Sequence, residues 1–327
     1  MNKPKVFLTR KLPDEVMERL MEETELEVNP EDRVLSKEEI INGIKGKDAL
    51  LCLLTDKIDE EVLSSNPRLK IVANYAVGYN NIDVQSASSL GIPVSNTPGV
   101  LTDTSADLAF TLLMAVSRRI VEADAYLRSG EWGGWGPLQY LGPDIHGAVL
   151  GIVGLGRIGK AVAKRAKGFG MTIKYWNRTR LSDEEELREE MEYLPLDELL
   201  KFADYVSLHV AFAPETTHLI SDREFRLMKP TSVLINTSRG AVVDEKALVR
   251  ALKDGKIWGA GLDVFENEPS IEEELLTMKN VVLLPHLGSA SFATRTKMGM
   301  MALENILAAW KGDKIPNLVN KELASGE

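Results

Sequence analysis

The residues Gly154-Leu155-Gly156-Arg157-Ile158-Gly159 spell G-x-G-x-x-G directly after the apolar run Val149-Leu150-Gly151-Ile152-Val153. A helical pattern follows at once, with Ile158, Val162, Ala166 and Phe169 on one face. Spaced glycines alone say little, but between a strand and a helix they demand a strand–turn–helix unit. Gly154 permits the tight turn, Gly156 lets backbone approach a pyrophosphate, and Gly159 lets helix and strand pack closely. Free N–H groups and the positive dipole end of the helix attract phosphate, so Leu155, Arg157 and Ile158 join the three glycines as expected contacts. The segment from Val149 to about Arg180 therefore reads as a binding unit for a nicotinamide dinucleotide.

The residue that closes the second strand of such a unit selects the cofactor. An Asp or Glu there bonds the ribose 2′-hydroxyl of NAD, whereas an Arg accommodates the 2′-phosphate of NADP. Here the strand ends in Asn177-Arg178-Thr179-Arg180, with no carboxylate before Asp183. NADP(H) is the expected preference, with NAD(H) as a possible second cofactor and Asn177, Arg178 and Thr179 at the phosphate. The competing reading makes Arg178 and Arg180 solvated surface charges.

The rest of the chain repeats the alternation of strand and helix. Val6 to Leu8, Ala49 to Leu54 and Ile71 to Ala73 read as strands, and Glu15 to Glu22, Lys37 to Ile44 and Glu60 to Ser64 as helices. A long apolar helix is expected from about Thr104 to Ser129, followed by a protruding loop with Trp132 and Trp135. Six strands then follow from Val149 to Leu284. This alternation predicts an α/β protein with two doubly wound parallel-sheet domains, one of them a Rossmann cofactor domain. A final helix, about Phe292 to Lys311, is expected to pack back on the first domain and make it discontinuous. The expected boundaries are 1–98 and 288–327 for the smaller domain and 99–287 for the dinucleotide-binding one.

Composition narrows the class further. With 39 basic and 49 acidic residues among 327, the net charge of −10 is not a nucleic-acid footprint. No apolar run approaches the ~18 residues of a membrane span, and the amino terminus lacks a signal-peptide pattern. A cytoplasmic enzyme is the default expectation. The single Cys52 lies in an apolar run and is expected in the core, and no metal-ligand cluster is visible.

Ligands of open parallel sheets bind beyond the carboxyl ends of the strands. Three late strands lead there to polar residues: Val233 to Asn236 to Thr237-Ser238-Arg239, Gly261-Leu262 to Asp263 and then Glu268, and Val281 to Pro285 to His286. A guanidinium clamps a carboxylate and polarises a carbonyl. An imidazolium donates the proton that accompanies hydride delivery, and a neighbouring carboxylate holds it in place. Arg239, Glu268 and His286 are the expected catalytic set. Asp263 is read as a group orienting the nicotinamide amide, and His209 as lining the dinucleotide cleft. His146 and His218 are weaker candidates.

These motifs carry a family resemblance over essentially the whole chain. Asn74 to Asp83, Gly154 to Gly159, Asn236 to Gly240, Gly261 to Phe265, Glu268-Pro269 and Leu284 to Ala290 occur in the order seen in the D-isomer-specific 2-hydroxyacid dehydrogenases. Within that family the chain is similar to glyoxylate/hydroxypyruvate reductases. The resemblance implies a flavodoxin-like substrate domain beside the Rossmann domain. It also implies reduction of glyoxylate or hydroxypyruvate by NADPH, with His286 as acid/base tuned by Glu268. The substrate carboxylate would be held by Arg239 and by the N–H groups of Val77 and Gly78, with Leu53 bordering the substrate side chain.

Further cofactor contacts carried over from the resemblance are Thr104, Val210, Pro214, Thr237, Ser238, Asp263, His286 and Gly288. It further implies closure about Pro98 and the segment near Gly288, and a homodimer formed after the long helix. Trp132 or Trp135 would then reach the partner's active site, with Trp135 taken as the substrate contact; the alternative is that both only cover the dimer core. Asn80 stands where relatives often have Asp, and Asn177-Arg178 replaces the acidic residue of NAD-using members. Other 2-hydroxyacid specificities (D-lactate, 2-ketogluconate) and a dinucleotide-sensing interaction protein are the alternatives.

Overall fold

The structure, a computed structural model, describes residues 3–324. The chain divides into two units, one formed by residues up to Leu101 together with those from Ser289 onward, the other by Thr102–Gly288. The first stretch of unit 1 runs β1 (Lys5–Leu8), α1 (Asp14–Glu23), β2 (Glu25–Val28), α2 (Lys37–Gly43), β3 (Ala49–Cys52), α3 (Glu60–Ser64), β4 (Ile71–Asn74), α4 (Val84–Ser89) and β5 (Val94–Ser95). Unit 2 begins with α5 (Thr102–Ser117) and α6 (Ile120–Arg128), then β6 (Val149–Val153), α7 (Arg157–Lys167), β7 (Thr172–Trp176), α8 (Asp183–Arg188) and β8 (Met191–Tyr193). It continues with α9 (Leu196–Phe202), β9 (Tyr205–Leu208), α10 (Asp222–Phe225), β10 (Val233–Asn236), α11 (Glu245–Lys253), β11 (Gly259–Leu262) and β12 (Val281–Leu283). The chain then returns to unit 1 with α12 (Phe292–Lys311).

Unit 1 holds a five-stranded parallel sheet of order β2-β1-β3-β4-β5, the flavodoxin-like order. Its central strands are apolar without interruption because both faces are covered. Val6, Leu8, Leu51 and Ala73 meet Val16 and Leu20 of α1 and Met298, Ala302 and Ile306 of α12. Phe7, Leu50, Cys52 and Val72 meet Ile40, Val62, Leu63 and Ala87 on the other face. Cys52 is thus a core residue, as its surroundings in the sequence suggested. Helices α1 and α12 touch at Gly299, where a Cβ would lie 2.6 Å from Val16.

Unit 2 holds a seven-stranded parallel sheet of order β12-β11-β10-β9-β6-β7-β8, the Rossmann order with one strand added. Helices α5 and α7 cover one face through Phe110, Leu112, Leu113, Val162 and Ala166. Helices α9 and α11 cover the other through Leu199, Leu200, Leu248 and Leu252. The α/β class with two parallel-sheet domains is therefore what the chain adopts.

Two expectations on elements are corrected. The long helix of Thr104 to Ser129 is two helices, broken where Arg119 adopts φ 50°. Arg119 is held in that corner by Glu122 at 2.9 Å and lies over the Tyr140 ring. The second sheet has a seventh strand, β8, and the first has β2 and β5, none of which the sequence pattern revealed. Glu25-Leu26-Glu27-Val28 and Met191-Glu192-Tyr193 are short and charged, as edge strands often are, and so lack the apolar run of a central strand.

Candidate active site

The glycine turn has the stereochemistry its spacing required. Gly154 adopts φ 98°, and a Cβ there would collide with the backbone of His209 and Val210 at 2.6–2.8 Å. At Gly159 a Cβ would lie 2.4 Å from the Gly154 carbonyl, so only glycine lets α7 sit on the turn. Gly156 is different: it is the N-cap of α7, and a Cβ would meet nothing within 4 Å. Among the described residues no side chain caps this helix, and its first turn carries no acidic residue, so Arg157, Ile158 and Gly159 present N–H groups to that open space. At the end of β10, the hydroxyl of Thr237 is buried and has no partner among the described residues. A polar atom left so is costly unless a ligand meets it. Donor helix, open glycine and orphaned hydroxyl all fit a dinucleotide.

Beyond β7, Asn177 ties the glycine turn to the following loop. Its Oδ1 accepts from the Leu155 N–H at 3.2 Å, and its Nδ2 donates to the Thr179 carbonyl at 2.8 Å. Arg180 is engaged by Glu186 at 2.7 and 2.8 Å and by Asp183 at 3.2 Å. Arg178 is exposed and, among the described residues, has no acidic partner. Of the two arginines only Arg178 is available to a ligand. Thr179 is exposed beside it.

The polar groups at the ends of β10, β11 and β12 form one connected assembly. Buried Asn236 shapes the turn after β10, accepting from the Ser238 N–H and Oγ at 3.1 and 2.9 Å and donating to the Arg239 carbonyl at 2.9 Å. Arg239 follows, half-buried, and donates to the Ser238 carbonyl at 2.7 Å. Burial pulls its guanidinium below the usual value, opposed by the Glu268 charge. A Cβ on the next residue, Gly240, would lie 1.8 Å from the Phe265 backbone, so the arginine turn and the Glu268 loop pack main chain on main chain.

Glu268 accepts from the Phe265 N–H at 3.0 Å with one oxygen and meets His286 Nδ1 at 2.9 Å with the other. Burial raises its carboxyl, but the His286 hydrogen bond and charge, the Phe265 N–H and the Arg239 charge outweigh it and hold Glu268 below the usual range. His286 itself sits at φ 56°, in the left-handed region, with its N–H bonded to the Asp263 carbonyl at 2.9 Å. Asp263 is buried, and its carboxylate oxygens accept from the Leu287 and Gly288 N–H groups at 2.6 and 2.8 Å. Burial raises its carboxyl above the ordinary value. The sequence reading gives Asp263 to the nicotinamide; in the structure its carboxylate also holds the histidine loop, and each oxygen keeps a lone pair for a further donor. Ser105 adds a hydrogen bond to the Gly288 carbonyl at 3.0 Å, a contact the sequence did not signal.

The other cofactor-side residues are placed more simply. His209 follows β9, with Nε2 2.8 Å from Ser207 Oγ, and burial pushes its imidazole down to about 4. It is therefore neutral at physiological pH and unsuited to be the proton donor. Val210 adjoins Gly154, Pro214 opens an exposed single turn, and Thr104 lies in the first turn of α5. His218 pairs with Glu266 at 2.7 Å, and His146 is exposed.

In unit 1, Leu53, Val77 and Gly78 are partly exposed at the carboxyl ends of β3 and β4. Asn81 links the two loops, donating to the carbonyls of Leu53 and Asp56 at 3.0 and 3.1 Å and meeting Asn74. The buried Asp56 carboxylate accepts from the Leu53 N–H at 2.8 Å. Asn74 and Asn81 fall within the Asn74 to Asp83 motif, but the bonds of this amide network leave no mark on spacing along the chain. Trp132 and Trp135 lie in the loop after α6, 53% and 84% exposed in the single chain.

The fold and the Arg–Glu–His assembly define an oxidoreductase built on a nicotinamide-dinucleotide-binding sheet. Residues 110–288 match the family described as D-isomer specific 2-hydroxyacid dehydrogenase, NAD binding domain, and the chain belongs to that family. The glyoxylate reductase of Thermococcus gammatolerans is 52% identical over 326 residues, covering 98% of this chain and 97% of the relative. Among solved structures, a protein from Thermus thermophilus superposes with TM-score 0.90 at 44% identity, over 96% of this chain and 99% of that one. An NADPH-dependent glyoxylate/hydroxypyruvate reductase from Sinorhizobium meliloti, in complex with NADP and malonate, gives TM-score 0.85 at 35% identity over 97% of both chains.

Proposed function

We propose that this protein is a cytoplasmic reductase that converts glyoxylate to glycolate, and hydroxypyruvate to D-glycerate, with NADPH and with His286 as proton donor. The observation that carries the reading is the 2.9 Å contact between Glu268 and His286 Nδ1. It fixes the ring through one nitrogen and leaves Nε2 for the substrate oxygen. Arg239 supplies the guanidinium that takes the 2-oxo acid's carboxylate in two hydrogen bonds and polarises its carbonyl. In unit 1, the N–H groups of Val77 and Gly78 are the donors suited to a substrate carboxylate, and Leu53 borders the substrate side chain. Bound NADPH supplies the hydride; the protein's part is to orient the acid and deliver the proton.

Three observations support the finer assignments. Full-length relatives at about half identity are named glyoxylate reductases, which favours glyoxylate over longer 2-oxo acids. The unpaired Arg178 and the absence of a carboxylate at the end of β7 favour NADPH over NADH. Ile120, Val121 and Leu127 of α6 and Trp132, Trp135, Leu138 and Leu141 of the loop after it are exposed large apolar side chains, which suits a homodimer formed through this region. Asp263 acts in this scheme as the residue that positions the histidine loop.

Replacing His286 by Ala tests the assignment. Turnover of glyoxylate should fall by about 10²–10⁴-fold, the usual range for a lost general acid, while NADPH binding survives. Near-normal turnover would remove His286 from the mechanism.

A further inference from the structure

The segment Ala76-Val77-Gly78 follows β4 without regular structure, yet each of its three carbonyls is held. The Thr97 N–H donates to the Ala76 carbonyl at 2.9 Å. Asn96 Nδ2 donates to the Val77 carbonyl at 2.8 Å, and Asn74 Nδ2 to the Gly78 carbonyl at 2.9 Å. Among the described residues, neither the Val77 nor the Gly78 N–H donates to a protein acceptor. A trans peptide is planar, with its C=O and N–H pointing in opposite directions. Holding the Ala76 carbonyl therefore aims the Val77 N–H, and holding the Val77 carbonyl aims the Gly78 N–H. Two successive donors are left directed away from Asn96-Thr97, the arrangement that makes an anion-binding concavity.

Asn96 is itself anchored on both sides. Its N–H donates to the Asn317 carbonyl at 3.3 Å, and its carbonyl accepts from Asn305 Nδ2 at 3.4 Å. Asn305 lies fully buried on α12, and its Oδ1 accepts from the Asn317 N–H at 3.1 Å. A side chain carried on backbone so fixed serves as a reference for the peptide plane it holds.

We propose that Asn96 is a positioning residue of the carboxylate site, its side-chain amide aiming the Gly78 N–H at the carboxylate of the 2-oxo acid. The inference rests on the reading that Val77 and Gly78 grip that carboxylate. It extends the site to a residue that touches neither substrate nor cofactor. The backbone donor of Thr97 does the same for Val77; only proline would remove it, and that would also constrain the chain, so Asn96 is the cleanly testable half of the pair.

The test uses full-length Asn96→Ala and Asn96→Asp, the second keeping the side chain's shape while replacing the Nδ2 donor with oxygen. Oxamate binding to the NADPH-loaded enzyme, KM and kcat for glyoxylate, NADPH affinity and melting temperature are measured for each. Loss of one neutral hydrogen bond's worth of orientation should weaken oxamate and raise KM by about tenfold. NADPH affinity should be unchanged, and KM should move more than kcat. A folded variant of either kind with wild-type oxamate affinity overturns the proposal, as does a parallel loss of NADPH affinity, the mark of general disruption. Wild-type enzyme is assayed alongside with glyoxylate and its neutral methyl ester. Equal efficiency on both would overturn the carboxylate grip itself, whereas clear preference for glyoxylate with unaffected variants would overturn only the role of Asn96.

Discussion

Glu268 Oε2 and His286 Nδ1 lie 2.9 Å apart, and the same glutamate spends its other oxygen on the Phe265 N–H at 3.0 Å. The carboxylate is thus fixed by its own loop before it fixes the histidine. With Arg239 adding its charge, Glu268 titrates below the ordinary carboxylate range. A carboxyl depressed in the folded state stabilises the fold above its unfolded pKa and loses that contribution as pH falls through the folded value.

Glu268→Gln should therefore lower the melting temperature at pH 7, and the gap from wild type should close as pH falls below the unfolded value of about 4.3. Turnover should fall by roughly 10–100-fold as the ring loses its charged partner. Thermal melts from pH 7 to pH 3 check the sign; a gap that widens on acidification would contradict it.

Gly240→Ala should be among the most damaging single-methyl additions in unit 2. Its Cβ would fall 1.8 Å from a Phe265 backbone atom, and neither main-chain segment can turn aside as a flexible side chain would. A loss of about 3 kcal/mol or more is expected, at the upper end for overpacking. Urea denaturation measures it, and activity should fall with it because Arg239 and the Glu268 loop move apart. Near-native stability would show the contact to be relaxed in solution.

How much of this was legible in the sequence depended on whether a residue's role left a pattern. The glycine turn, the strands around it and the order Arg239, Glu268, His286 were readable because strand ends and glycine spacing are local. The break at Arg119 was not, since both flanking segments are good helix formers and the corner is held by Glu122 and Tyr140. Asp263 reads as a ligand group because it ends a strand. Only the structure shows its oxygens also accepting from the Leu287 and Gly288 N–H groups. Asn81 and Asn96 act through contacts with distant backbone, which spacing along the chain does not reveal.

Trp135 offers a test of selectivity. In the single chain it is 84% exposed on the loop that follows α6. If it limits substrate size across a homodimer, Trp135→Ala should raise efficiency on hydroxypyruvate relative to glyoxylate by about tenfold, the scale of a small change in pocket volume. Trp132→Ala is the control, and an unchanged ratio in both variants would leave the tryptophans with a packing role alone.

The most direct measurement is a panel of kcat/KM values for glyoxylate, hydroxypyruvate, pyruvate and 2-ketogluconate, each with NADPH and with NADH. Glyoxylate with NADPH is expected to give the highest value, hydroxypyruvate to follow, and NADH to be the poorer donor for both. Equal or better efficiency with NADH would contradict the role of Arg178. Absence of turnover on every 2-oxo acid would contradict the reductase itself.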